Sequence, residues 1–150
     1  MPKNDFTLSL DLTPSKKTGE ETNEPTEGKT ILPFVCRLES YKTKFKNLHW
    51  SASNDMIHKR VDEFLDVLDG FQDEVAENGQ GSIGQFGPND LTTTHLGFTT
   101  PIEAIEALNK EVIAFHEEMC ESDEFIGIVN SIEGFLMTLK RYVYLFRICS

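Results

Sequence analysis

One histidine and five carboxylates recur every three or four residues between positions 58 and 77. At about 100° of rotation per residue, all six would lie within a sector of roughly 100° on one helix. These residues, which we call the acidic stripe, are His58, Asp62, Asp66, Asp69, Asp73 and Glu77. Carboxylate oxygens and imidazole nitrogens together suit iron, zinc or manganese. The pattern therefore allows a metal site, whereas the stripe alone is equally compatible with a solvated acidic face.

Two pairs in the acidic stripe have the spacing of residues that share one metal ion. His58 and Asp62 are neighbours on consecutive turns, and so are Asp73 and Glu77. The two pairs lie about 16 Å apart along a helix that rises ~1.5 Å per residue, so one subunit cannot join them. A two-fold dimer with antiparallel second helices would place Asp62 of one chain opposite Asp73 and Glu77 of the other, giving two equivalent sites. The axis would pass close to Gly70, where a glycine permits close backbone approach.

Hydrophobic residues that recur at helical spacing predict four helices. The predicted ranges are residues 33–49, 54–77, 101–119 and 123–148. Asn78-Gly79 is a stop signal that ends the second helix at Glu77. Thr100 as the N-cap, Pro101 and Glu103 form a capping box that starts the third helix.

The lengths of the connections predict how these helices are arranged. About four residues join the helices within the first pair, and a similar link joins the second pair, so each pair forms an antiparallel hairpin. About 22 residues, positions 78–99, join the two hairpins, and a connection of that length in a compact domain needs a reason. A lengthwise crossover supplies that reason, and it predicts an all-α, ferritin-like four-helix bundle over residues 32–150. Residues 1–31 are rich in Thr, Glu, Lys, Pro and Gly and predict an extended or disordered N-terminal arm.

Composition and charge exclude several classes of function. The chain has 150 residues, and Asp plus Glu outnumber Lys plus Arg by 25 to 14, which makes the formal net charge −11. Direct DNA binding is not expected, because affinity for DNA depends on Lys and Arg at the phosphates. No signal peptide or membrane span is evident, and the three cysteines show no disulfide or CxxC pattern. We expect a cytoplasmic protein, or one in an assembly formed in the cytoplasm.

Several motifs together resemble the Dps family, the miniferritins also described as DNA-binding proteins from starved cells. The pattern H-W…H-x3-D-x10-D-x3-E is formed by His49, Trp50, His58, Asp62, Asp73 and Glu77. The glycine-rich segment AENGQGSIGQFG and the helical segment EGFLMTLKRYVYLF are also similar to segments of that family. The resemblance covers roughly residues 33–148.

The resemblance implies a homo-oligomer built on two-fold dimers, a dodecameric shell, with iron as the metal. Fe(II) would be oxidised at ferroxidase sites in the dimer interface, preferentially by hydrogen peroxide, and stored as ferric mineral. His49, His58 and Asp62 of one subunit would bind the metal together with Asp73 and Glu77 of its partner. Of these, His58, Asp62, Asp73 and Glu77 are the expected catalytic residues, and Trp50 matches a tryptophan beside the site.

Two departures from the family support an alternative function. The two histidines lie closer together than in the family, by about one helical turn, which leaves open whether His49 reaches the metal. The N-terminal arm lacks the lysine excess of the DNA-binding members. The alternative is a ferritin-like domain reused as a structural subunit of a shell, ring or viral particle, without ferroxidase activity. The intact Asp62, Asp73 and Glu77 favour the iron-oxidising function.

Overall fold

The structure is a computed structural model, and it describes residues 28–149. All regular structure in these residues is helical. The elements are α1 (Ile31–Trp50), α2 (Asp55–Ile83), α3 (Pro101–Met119), a short 3-10 helix (Asp123–Phe125) and α4 (Ile126–Cys149). The prediction of an all-α chain with four helices is thereby confirmed, while residues 1–27 of the predicted arm lie outside the described range.

Helices α1 and α2 form an antiparallel hairpin. Near one end of the hairpin, the Gln72 amide of α2 donates a 3.2 Å hydrogen bond to the carbonyl of Val35 on α1. Near the other end, the imidazoles of His49 and His58 stack on each other. Val35 near the start of α1 thus contacts the second half of α2, and His49 near the end of α1 contacts the start of α2. The two helices therefore run in opposite directions.

Helices α3 and α4 form a second antiparallel hairpin. Arg147 of α4 donates a 2.8 Å hydrogen bond to Glu106 near the start of α3. His116 lies 2.9 Å from Glu133, near the end of α3 and the first half of α4. Cross-links at both ends therefore keep these two helices in register.

Aromatic side chains join the two hairpins into one bundle. Phe34 of α1 stacks on Phe115 of α3 with ring centroids 3.8 Å apart, and Phe71 of α2 stacks on Phe135 of α4 at 3.9 Å. Helix α1 thus packs against α2 and α3, and α4 packs against the same two helices. Because α2 and α3 are each antiparallel to α1, the helices α2 and α3 run in the same direction.

The connection between α2 and α3 must therefore run back along the bundle, and α1 holds it there. Ser40 of α1 accepts a 2.9 Å hydrogen bond from the backbone N–H of Thr94. Cys36, one turn earlier, contacts the backbone of Asp90 and Thr92 through its sulfur, each at 3.4 Å. These contacts supply backbone partners to a segment that has no regular structure of its own.

Helix α2 does not end at Glu77, and that prediction was wrong. The helix continues to Ile83 and ends at Gly84, whose φ of +102° suits a glycine and whose N–H donates to the carbonyl of Gln80. Gly79 is buried inside the helix, where a Cβ would come within 2.6 Å of the Ile31 side chain. Gly79 therefore serves close packing of α2 against the start of α1, and the unstructured connection shortens to residues 84–100.

Replacing Gly79 with alanine should destabilise the protein, although alanine is the better helix former. The clash with Ile31 should outweigh the ~0.5–1 kcal/mol gain in helix propensity, because overpacking costs about 1–3 kcal/mol. Gly81→Ala is the matched control, since its Cβ would meet nothing within 4 Å. Urea denaturation should show a lower free energy of unfolding for Gly79→Ala and an unchanged or higher one for Gly81→Ala. Equal values for the two variants would contradict this role of Gly79.

None of the helices within residues 28–149 combines the length and the hydropathy of a membrane-spanning segment.

Candidate metal centre

The end of α1 and the start of α2 bring two histidines of the predicted site into direct contact. The rings of His49 and His58 are stacked with centroids 3.9 Å apart and an angle of 23° between their planes. Asn54 caps α2 by accepting a 2.9 Å hydrogen bond from the N–H of Ile57, which sets where the helix begins. The short connection between the helices therefore positions His58 directly over His49.

Hydrogen bonds to the backbone define which ring nitrogens of these histidines are available. His49 Nδ1 lies 3.0 Å from the carbonyl oxygen of His58, and His58 Nδ1 lies 3.1 Å from the carbonyl oxygen of His49. A carbonyl oxygen only accepts, so each Nδ1 must carry the proton and donate. In the neutral imidazoles, each Nε2 then keeps a lone pair. Such a backbone bond is the usual way in which a metal-binding histidine is oriented.

Asp62 lies next to this histidine pair, as the helical spacing predicts. Its Oδ1 is 4.0 Å from His49 Nε2, and 70% of its side chain is exposed. Two bonds of about 2.0–2.2 Å to one ion span at most ~4.4 Å, so the two atoms are close enough to share an ion. The shortened sequence between the histidines thus still leaves the His49 ring facing Asp62.

Asp73 and Glu77, the other two predicted ligands, lie further along α2 with exposed side chains. They are about three to four turns from Asp62 on a helix of ~5.4 Å pitch. Within residues 28–149, no three His, Cys, Asp or Glu side chains of one subunit converge as a metal site. Asp73 and Glu77 therefore lie apart from His49 and Asp62 within one chain.

Two exposed apolar side chains lie in the sequence beside the histidine pair. Trp50 directly follows His49 and is 72% exposed, and Met56, two residues before His58, is 55% exposed. These two side chains leave apolar surface next to the histidine pair in the sequence.

A lysine of α1 compensates part of the acidic stripe, which sequence reasoning missed. Lys42 Nζ forms an ion pair with Asp69 and donates a 2.8 Å hydrogen bond to the amide oxygen of Gln72. The Gln72 amide nitrogen in turn donates to Glu39 at 3.0 Å. In the sequence, only Gln72 indicated such a cluster, because it is a polar residue among the apolar positions of α2. This cluster lies between the two halves of the predicted site and gives the centre of the α1/α2 surface a defined polar pattern.

A second set of charged residues ties α1 to α3 and has a structural role. Arg37 donates hydrogen bonds of 2.9 and 2.6 Å to the two carboxylate oxygens of Glu111, and the Tyr41 hydroxyl donates to the same carboxylate at 2.6 Å. Burial alone would raise the pKa of Glu111, but the hydrogen bonds from Arg37 and Tyr41 outweigh it and the pKa is lowered. Burial, followed by the Glu111 contact, raises the pKa of Tyr41 above its usual value. These three contacts hold α1 against α3.

Comparisons with known proteins found no match to a family model, to a curated protein or to a solved structure. The function proposed below therefore rests on the geometry of the site and on the motif resemblance.

Proposed function

We propose that this chain is the subunit of a Dps-like miniferritin that binds and oxidises Fe(II) at sites shared between two subunits. The proposal rests on one observation above all. His49 and His58 donate through Nδ1 to each other's backbone carbonyl, which leaves each neutral ring with a lone pair on Nε2, and His49 Nε2 lies 4.0 Å from Asp62 Oδ1. Imidazole and carboxylate ligands together suit iron.

The helix arrangement supports the ferritin-like part of the proposal. Two antiparallel hairpins joined by a lengthwise connection are the ferritin-like way of building a four-helix bundle. The contacts among α1 to α4 agree with this topology, as does the path of residues 84–100 along α1.

The dimer in the proposal joins two copies through their α1/α2 surfaces, with α2 antiparallel to its mate. His49, His58 and Asp62 of one subunit would then face Asp73 and Glu77 of the partner subunit. The exposure of Trp50 and of all three carboxylates favours this surface as an interface. A Cβ added to Gly70 would meet nothing within 4 Å, so this position leaves room for close approach of the two α2 helices.

The reaction in the proposal takes one electron from each of two Fe(II) ions and gives both electrons to hydrogen peroxide. The O–O bond breaks, and two Fe(III) ions and two hydroxide ions result. The carboxylates stabilise the higher charge of Fe(III), and the imidazoles, fixed by their backbone bonds, hold the ligand geometry. The remaining carboxylates of the acidic stripe would concentrate cations near the site.

The test is anaerobic Fe(II) loading of the full chain followed by hydrogen peroxide, with oxidation recorded by absorbance. The wild type should oxidise Fe(II) faster than buffer and saturate at a small fixed number of ions per subunit. Asp62→Asn/Glu77→Gln should lose this phase by at least about 10–100-fold, because both ends of the shared site lose charge.

Asp66→Asn is the matched control, since Asp66 lies on the same stripe but outside the proposed ligand set. This variant should retain the fast phase. Circular dichroism of each variant verifies that the helices are intact. Oxidation by the folded wild type at the rate of buffer alone would refute the proposal.

One observation favours the alternative, a structural subunit without ferroxidase activity. The reciprocal bonds between His49 and His58 also lock the connection between α1 and α2, a role that needs no metal. A wild-type protein that forms a defined assembly but oxidises Fe(II) no faster than buffer would support this alternative.

A further inference from the structure

Helix α4 carries a file of large apolar side chains on its outer surface. Four such residues are 60–77% exposed: Ile126 (63%), Met137 (77%), Tyr144 (60%) and Ile148 (61%). At about 100° per residue, they lie within roughly 40° of one another on the helix. Single exposed apolar residues are normal on a protein surface. A file of four on one helix marks a surface that binds a partner.

The order of residues along this file is self-complementary. Consider two α4 helices that pack antiparallel on a two-fold axis at Met137. Each residue before Met137 in one copy then lies opposite the residue that follows Met137 by the same number of positions in the other copy. The resulting pairs are Ile126 with Ile148, Asn130 with Tyr144, and Glu133 with Arg141. Ile126 then meets Ile148 at both ends, Met137 meets its own copy at the centre, and Glu133 meets Arg141 between them, while the polar Asn130 faces the ring of Tyr144.

The charged groups of the file are available for such pairing. The Glu133 side chain is 58% exposed, and it uses only Oε2 to contact His116 of its own subunit. Among the described residues, neither Lys140 nor Arg141 forms an ion pair within the subunit. In the antiparallel arrangement, Glu133 of one copy lies between Lys140 and Arg141 of the other.

We propose that the α4 surface binds a second copy of this chain through an antiparallel α4–α4 contact on a two-fold axis at Met137. The occupant is a copy of the chain because the surface is complementary to itself in charge and in apolar pattern, as an isologous interface requires. This contact is separate from the α1/α2 surface and does not rest on the proposed function. A chain with both contacts joins dimers into a larger assembly.

Disulfide trapping in the full chain tests the position of the axis. The starting variant is Cys120→Ser/Cys149→Ser, which keeps the half-buried Cys36 that contacts the α2–α3 connection. Met137→Cys in this variant should form a disulfide-linked dimer under mild oxidation, since a residue on a two-fold axis meets its own copy. Met56→Cys, a similarly exposed methionine on α2, is the control and should cross-link at least about tenfold more slowly.

The register is tested by mixing Ile126→Cys and Ile148→Cys proteins. The mixture should give a linked dimer of the two species, and each protein alone should give little. Charge exchange gives an independent test by analytical ultracentrifugation in the same cysteine-depleted variant. Glu133→Arg should weaken the association roughly tenfold, and adding Arg141→Glu should restore it.

The proposal is overturned if folded Met137→Cys protein links no faster than the control, or if the exchanged double variant is as weak as Glu133→Arg. It is also overturned if a photoreactive residue at position 137 links to residues 1–27 or to another protein rather than to α4 of a second copy.

Discussion

A purified heterodimer of Asp62→Asn and Asp73→Asn chains should regain Fe(II) oxidation that neither variant shows by itself. In the proposed dimer, each site takes Asp62 from one chain and Asp73 from the other. The heterodimer therefore has one site with both substitutions and one site with none, as two-fold symmetry requires. Each homodimer has a substitution in both of its sites.

The two chains are co-expressed with different affinity tags in the Glu133→Arg background, which weakens the α4 contact, and dimers that carry both tags are separated by size from larger assemblies. Peroxide-driven oxidation per heterodimer should reach about half of the wild-type amplitude, because one of two equivalent sites is intact. A heterodimer of Asp62→Asn and wild-type chains is the control, and it should also have one intact site. Equal inactivity of the mixed variant and of its parents would place Asp62 and Asp73 in separate sites and refute the shared centre.

Replacing Phe64 with alanine should cause the largest loss of stability among single substitutions in the core. Phe64 is fully buried on α2. Its ring lies 5.0 Å from that of Phe45 on α1, 5.2 Å from that of Tyr142 and 6.3 Å from that of Phe135 on α4. The substitution should lower the free energy of unfolding by about 3–5 kcal/mol, because it removes apolar contact with both α1 and α4 and leaves a cavity. Whole domains have only ~5–15 kcal/mol, so the variant should be close to unfolding.

Phe64→Leu is the conservative control and should cost less than about 1.5 kcal/mol, since it refills most of the volume. Urea titrations at one fixed protein concentration give both values under the same conditions of oligomerisation. A loss below about 1 kcal/mol for Phe64→Ala would mean that the bundle closes around the cavity and that Phe64 does not organise the core.

The start of α3 was predictable from the sequence because its capping is local, whereas α1 begins at Ile31 rather than Pro33 and α4 begins at Ile126 rather than Asp123. Thr100 accepts a hydrogen bond from the N–H of Glu103, and Glu103 accepts one from Thr99, as the predicted capping box requires in outline. The N–H groups of Thr99 and Thr100 lower the pKa of Glu103, although burial opposes them. The donors and acceptors lie within four residues, so no other part of the fold was needed to predict them.

The end of α2 was not predictable in this way, because Gly79 has two possible roles. A glycine ends a helix when it adopts positive φ, and it continues a helix when another element must pack closely. Only the position of Ile31 against Gly79 decides between the two, and Ile31 belongs to a different helix.

The sequence by itself determined the existence of four helices, the capping box that starts α3 and the helical stripe that places His58 and Asp62 on one face, because spacing along one helix needs no tertiary information. Tertiary structure alone decided that His49 stacks on His58 with Nδ1 of each bonded to the other's backbone. It also decided that Lys42 of α1 pairs with Asp69 of the acidic stripe. Both contacts join α1 to α2, and the relative rotation of two packed helices depends on how all their side chains fit together.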